Sequence, residues 1–133
     1  MNTKNLFTCV AAVCLLFGIT LAFMPEYIGN QYLADPAMMN PVTRMLSQSY
    51  GSSLIAIAVA LGYARDSGPT FARKALVFFV LISNLALIVI HTMAILNGLE
   101  TATAWLTVGM SVVFTAWSGM LLSQPENRAA VLA

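Results

Sequence analysis

The chain has 133 residues, of which 59% are hydrophobic and only 8% are charged, and its formal net charge is +1. Because soluble globular domains carry roughly 25% charged residues, there are too few charges here to cover a water-soluble domain of this size. Six basic residues stand against five acidic ones, which excludes the basic face that nucleic-acid binding requires. We therefore expect one membrane domain over residues 1–133, in contact with membrane lipids and with no nucleic-acid partner.

Four segments are long and apolar enough to cross a bilayer, which takes about 20 residues of helix. These segments are residues 6–24, 42–64, 74–97 and 101–123. A signal peptide is the alternative interpretation of the first, because Lys4 precedes its apolar run. The run is long for a signal peptide, however, and FMPEY is not a small-x-small cleavage site. We therefore expect a retained first helix.

The connections between the segments predict how the helices are arranged. The first connection, PEYIGNQYLADPAMMNP, is polar and has three prolines, which break a continuous helix; DPAMMNP could form one short helical turn on the membrane surface. The sequences RDSGP and NGLE form short turns between the later segments, so these neighbours must be antiparallel. The simplest architecture is an all-α, antiparallel four-helix bundle in the membrane.

Basic residues are distributed unevenly between the two ends of this bundle. One end holds Lys4, Arg65, Arg73, Lys74 and Arg128. The other end holds Arg44 together with Glu26, Asp35 and Glu100. Since loops rich in Lys and Arg stay in the cytoplasm, the sequence predicts that both termini are cytoplasmic.

Two polar side chains, Asn84 and His91, interrupt the third segment. They are seven residues apart, which is two helical turns, so they lie on one face of the helix. An unpaired polar group in hydrocarbon costs several kcal/mol, so we expect this face to point into the bundle, towards one buried polar cluster. The residues that could complete the cluster are Gln48, Ser52 and Ser53 in the second segment and Thr107, Ser111, Thr115 and Ser118 in the fourth.

His91 has a functional and a structural interpretation. Ionisable groups inside membranes are candidates for function, so His91 could accept a proton, bind a metal or haem, or hold a lipophilic ligand. Alternatively, it forms a hydrogen bond that fixes the register of two helices. No metal site is predicted, because zinc and copper need three or four ligands and the chain has one His. Proton pumping is disfavoured because no acid lies within a segment, and no catalytic residue is evident.

Arg44 opens the second segment and is the other candidate binding residue. It could bind a lipid headgroup, a quinone carbonyl or an acidic partner residue. Alternatively, it extends to the membrane interface or pairs with Glu26 or Asp35. The candidate ligand-binding residues are therefore His91, Asn84, Arg44 and Gln48.

The chain also resembles a group of small bacterial membrane proteins. LLFGITLAFMPEYI, then TRMLSQSYGSSLIAIAVALGYAR, then a span with a mid-helix Asn, is similar to the DoxX-like four-helix proteins, their uncharacterised relatives and the scaffold proteins of ergosterol synthesis. The shared positions, over roughly residues 6–122, are Gly18, Pro25, Glu26, Arg44 and Gly51. The resemblance implies a bacterial inner-membrane location. Some members are subunits of quinone-linked oxidoreductases and others are scaffolds, so it suggests a quinone as ligand.

Three functions follow from these observations. We expect a small non-catalytic membrane subunit or scaffold, with other membrane protein subunits as partners, because the chain is short and has small-residue helix faces and no soluble domain. The alternative is a quinone- or lipophile-binding subunit associated with a membrane oxidoreductase. A small transporter is disfavoured, because the first segment lacks the Glu of proton-coupled four-span transporters. A stable partner would favour the first function, a bound lipophile the second and substrate-coupled proton flux the third.

Overall fold

Long helices dominate the structure, a computed structural model that describes residues 2–124. The α-helices are α1 (Thr3–Phe23), α2 (Pro25–Tyr32), α3 (Pro41–Ala64), α4 (Phe71–Leu96) and α5 (Trp105–Ser123), with short 3-10 helices at Pro36–Met38 and Ala102–Ala104. Within these described residues, four helices are long and apolar enough to cross a membrane. The predicted all-α bundle is therefore confirmed, and the protein is an integral membrane protein. The predicted segments differ from the observed spans by at most one turn at either end.

Prolines determine where the helical elements begin. Pro25, Pro36 and Pro41 each stand at the start of one, where proline's missing N–H breaks no hydrogen bond. Asn40 strengthens the start of α3, because its side chain accepts hydrogen bonds from the backbone of Val42 and Thr43. The predicted turn in DPAMMNP is confirmed at Pro36–Met38. Helix α2 was not predicted, because the prolines were taken only as helix breakers.

The four spans associate as two pairs, α1 with α3 and α4 with α5. Two glycines allow the first pair to approach closely. A Cβ atom on Gly51 would lie 2.5 Å from the backbone nitrogen of Ala22 and 2.7 Å from the carbonyl oxygen of Gly18. Because these neighbours are backbone atoms, they cannot move aside as a side chain would. The contact also fixes the rotation of α3, since Gly51 has to face α1.

Side chains fill the space between the two pairs at only one end of the bundle. The core residues there are Leu6, Phe7, Val10, Leu61, Val77, Val80, Phe114 and Leu121. They come from the first half of α1, the last turns of α3, the first half of α4 and the second half of α5. This end is therefore packed, and the half of the bundle nearer α2 contains the free space.

An ion-pair cluster marks the packed end. Lys4 Nζ lies 2.6 Å from Asp66 Oδ1, and Arg65 Nε donates to Asp66 Oδ2 at 2.9 Å. The Lys4 ammonium, followed by the Arg65 guanidinium, holds the pKa of the exposed Asp66 carboxyl below its usual range. The start of α1 and the α3–α4 turn thus lie side by side, together with four of the five basic residues assigned to this end. The fifth, Arg128, lies outside the described residues.

Replacing Gly51 by Ala should destabilise the α1–α3 pair. The added methyl group would collide with backbone, and overpacking of this kind costs about 1–3 kcal/mol. Thermal unfolding of the detergent-solubilised protein, followed by circular dichroism, measures the effect. Gly62→Ala on the same helix is the matched control, because a Cβ atom there meets nothing within 4 Å. Equal melting temperatures for the two variants would contradict the assigned role of Gly51.

Candidate functional site

A cavity of about 800 Å³ lies between the two helix pairs. Small-molecule sites in proteins typically have volumes of about 300–1,000 Å³, so the space is large enough for an organic ligand. Its floor includes Val10, Val80 and Phe114, which also belong to the packed core. Its wall is mainly apolar and contains contributions from all five helices. The site therefore suits a lipophilic molecule.

The cavity opens between α3 and α4. Among the helical residues that line it, the largely exposed ones are Leu46 and Tyr50 on α3 and Phe79 and Ala86 on α4. The lining residues of α1 and α5 are buried or half-buried. The backbones of α3 and α4 also stay apart, although only a short turn joins the two helices. The mouth of the cavity therefore faces the lipid.

Helix α2 covers the end of the cavity opposite the packed core. The ring of Tyr32 packs edge-on against Phe17, with centroids 6.4 Å apart. The Tyr32 hydroxyl forms a 2.9 Å hydrogen bond with Thr107 Oγ1 on α5. The segment after α2 then pairs with the α4–α5 connection: Thr101 N donates to Tyr32 O at 2.7 Å, and Ala34 N donates to Leu99 O at 3.0 Å. These two segments together form a cap.

The cap brings Glu100 to His91. Gly98, with φ of 69°, ends α4 in a Schellman turn, since Leu99 N donates to Ala94 O and Gly98 N to Ile95 O. The chain reverses, and His91 Nδ1 lies 2.7 Å from Oε2 and 3.0 Å from Oε1 of Glu100. Both side chains are mostly buried, at 19% and 15% exposed, and both residues line the cavity.

Glu100 is the site residue that the sequence analysis missed. It lies in a connection, as expected, but its carboxylate turns into the bundle. Proton chemistry was disfavoured because no acid lies within a span, but Glu100 reaches the cavity from a connection. The signal available in the sequence was Asn97-Gly98, a turn that reverses the chain just after the helix of His91.

Asn84 also lines the cavity, closer to the floor. Seven residues at 1.5 Å per residue place it about 10 Å from His91 along α4. Its Nδ2 donates to Val80 O at 2.8 Å, and Ser83 Oγ donates to the same carbonyl at 3.2 Å. Ser111 on α5 lines this region too and is buried. His91, Asn84, Thr107 and Ser111 therefore share one cavity, as the predicted polar cluster requires.

The residues expected from the second span do not join this cluster. Gln48 instead donates to Ala22 O at 3.3 Å. Ser52 and Ser53 face outward, with their hydroxyls bonded to the carbonyls of Gln48 and Ser49. Because Gly51 faces α1, helix α3 is rotated by about one residue from the expected register. It presents Ser47 and Tyr50 to the cavity instead.

Arg44 does not line the cavity either. Its guanidinium pairs with the carboxylate of Glu26 on α2, which is one of the structural alternatives considered above. The pair joins α2 to the start of α3, so Arg44 supports the cap from outside the cavity. On the fourth span, Thr115 and Ser118 also lie outside the cavity wall.

The arrangement can bind and orient a ligand through one imidazole. Among the residues that line the cavity, Glu100 is the one carboxylic acid and His91 the one imidazole, and neither Lys nor Arg is present. Within residues 2–124, no group of three or more His, Cys, Asp or Glu side chains is placed to hold a metal ion.

Comparison with models of protein families, with curated proteins and with solved structures gave no match to this chain. The function of the protein is therefore inferred from the geometry of this cavity.

The His91–Glu100 contact should appear as coupling between the two side chains. Removing one partner leaves the other mostly buried without its hydrogen bond, a loss of about 1–3 kcal/mol. In a double-mutant cycle of His91→Ala and Glu100→Ala, we expect a coupling of at least about 1 kcal/mol in unfolding free energy. Ser53→Ala combined with His91→Ala should be additive, because Ser53 faces the lipid. An additive His91–Glu100 cycle would show that the contact is not formed.

Proposed function

We propose that this protein binds a lipophilic molecule with a polar head in the cavity between its helix pairs. The observation that carries this proposal is a mostly apolar, lipid-facing cavity with the His91–Glu100 pair at its capped end. An apolar wall with a few placed polar groups is the usual composition of a ligand site. Binding is thus favoured over the purely structural interpretation of His91.

A quinone-type lipid is the first ligand to test. The resemblance to DoxX-like proteins, some of which are subunits of quinone-linked oxidoreductases, suggests this class, and a membrane oxidoreductase is then the associated complex that we propose. The cavity size is compatible with an aromatic head and the first part of a hydrocarbon tail. The tail would leave through the mouth between α3 and α4, where Leu46 and Phe79 offer apolar contacts.

Native mass spectrometry of protein extracted with its surrounding lipid tests this proposal. We expect a lipophile bound one to one, identified after organic extraction. His91→Ala should reduce its occupancy about fivefold, because roughly one hydrogen bond is lost. Ala86→Trp should also reduce the occupancy, since Ala86 lies at the mouth. Ala75→Trp, on an exposed and non-lining position of the same helix, is its matched control.

The proposal fails if the extracted protein is bare and also takes up neither an added alkyl quinone nor its quinol. Full occupancy in His91→Ala and Ala86→Trp would show that the lipophile binds elsewhere on the protein. Circular dichroism of each variant separates loss of the ligand from loss of the fold.

A membrane subunit or scaffold remains the second candidate function, and one surface favours it. The outward face of α3 carries small residues, and small residues let another transmembrane helix approach closely. This face consists of Ser49, Ser52, Ser53, Ala56 and Ala60, all exposed to lipid. We infer that a partner's transmembrane helix would contact this face. A partner protein of fixed stoichiometry in the same mass spectra, lost in Ala56→Leu, would support this function.

We also propose that both termini face the cytoplasm of a bacterial cell, because basic residues concentrate at the packed end. Cysteine labelling in spheroplasts tests the orientation. In a Cys9→Ala, Cys14→Ala background, Asn97→Cys should react with a membrane-impermeant maleimide in intact spheroplasts. Gly68→Cys should react only after permeabilisation. The reverse pattern would invert the topology.

A further inference from the structure

We infer that the ligand carries a hydroxyl group at its polar end and that this hydroxyl donates a hydrogen bond to Nε2 of His91. This inference rests on the proposed lipophile site and specifies its head-group chemistry. Phenols, quinols and sterols belong to the class, and the quinol form of a quinone-type lipid is preferred to the quinone. The hydroxyl keeps its proton on oxygen, so this is a binding step alone.

The position of Glu100 determines which nitrogen of His91 is protonated. Both carboxylate oxygens lie within hydrogen-bond distance of Nδ1, at 2.7 and 3.0 Å. A single N–H shared between two acceptor oxygens has this geometry, because an ionised carboxylate only accepts. If the carboxyl were the donor, a lone pair of its second oxygen would face the lone pair of Nδ1. We therefore assign the hydrogen to Nδ1.

In the neutral tautomer with its hydrogen on Nδ1, Nε2 is an acceptor. The Ser-His-Asp triad uses the same logic, since a buried carboxylate on Nδ1 leaves Nε2 to accept from a hydroxyl. No protein partner of Nε2 is present among residues 2–124, where the hydrogen bonds of His91 go through Nδ1 alone. Nε2 is therefore free to accept a hydrogen bond from a ligand.

The other side-chain hydroxyls at this end are partly occupied by each other. The hydroxyls of Tyr32 and Thr107 bond to each other at 2.9 Å. A carbonyl head would place its lone pairs against that of Nε2, and an anionic head would meet the Glu100 carboxylate with neither Lys nor Arg on the wall. A neutral hydroxyl can donate to Nε2, and it has no negative charge for the Glu100 carboxylate to repel.

Glu100 is a positioning residue in this scheme. Glu100 fixes the tautomer and the orientation of the His91 ring. The ligand itself contacts the imidazole and not Glu100. Substituting Glu100 should therefore reduce the preference for a hydroxyl head, while the apolar part of the affinity stays unchanged. A merely structural role would instead change the affinity for every lipophile equally.

A matched pair of probes tests the inference: 4-dodecylphenol and its methyl ether, 4-dodecylanisole. Binding to protein in nanodiscs is measured by native mass spectrometry and corrected for partitioning into protein-free nanodiscs. We expect the phenol to bind about 2- to 10-fold more tightly, the range of one hydrogen bond between neutral groups. The ratio should fall to nearly 1 in Glu100→Leu and in the double variant His91→Leu, Glu100→Leu, in which no partner remains unpaired. Ser53→Ala should keep the wild-type ratio.

The outcomes separate this inference from the proposed function. If the phenol and the ether bind equally well, the cavity binds lipophiles but the hydroxyl preference is wrong. A dodecylbenzoquinone that binds more tightly than the phenol would also overturn the inference, since Nε2 would then be a donor. A preference that persists in Glu100→Leu would overturn the role of Glu100. If no probe binds, the proposed function itself fails.

Discussion

The contact between Gly18 and Gly51 is the constraint on which the rest of the structure depends. It brings the backbones of α1 and α3 together and thereby fixes the rotation of α3 about its own axis. That rotation sends Ser47 and Tyr50 towards the cavity and the serines at 52 and 53 towards lipid. The composition of the cavity wall is thus decided by a contact on a different face of the same helix.

The second constraint is the cap. The segment after α2 and the α4–α5 connection pair with each other through backbone hydrogen bonds. Neither segment therefore leaves unsatisfied backbone groups in lipid, where they would be costly. The same pairing carries Glu100 to His91. The same hydrogen bonds serve the fold and the candidate site. They close the end of the bundle, and they also place the Glu100 carboxylate beside His91.

Periodicity and composition predicted the spans, the turns between them and the face shared by Asn84 and His91, because those features depend on single helices. The rotation of α3 could not be predicted, since helical spacing gives the faces of a helix but not the direction in which each points. Glu100 was missed for a related reason. Its position depends on how the chain reverses at Gly98, and nine residues of separation along the sequence do not show that two side chains meet.

The packed end and the open mouth together determine which part of the membrane the cavity contacts. Because the core closes one end of the bundle, the cavity does not run through the membrane and opens mainly towards the leaflet next to α2. Its mouth faces hydrocarbon, so a lipophile bound as proposed would exchange within the plane of the membrane. Occupancy would then follow chiefly the mole fraction of the lipophile in that leaflet.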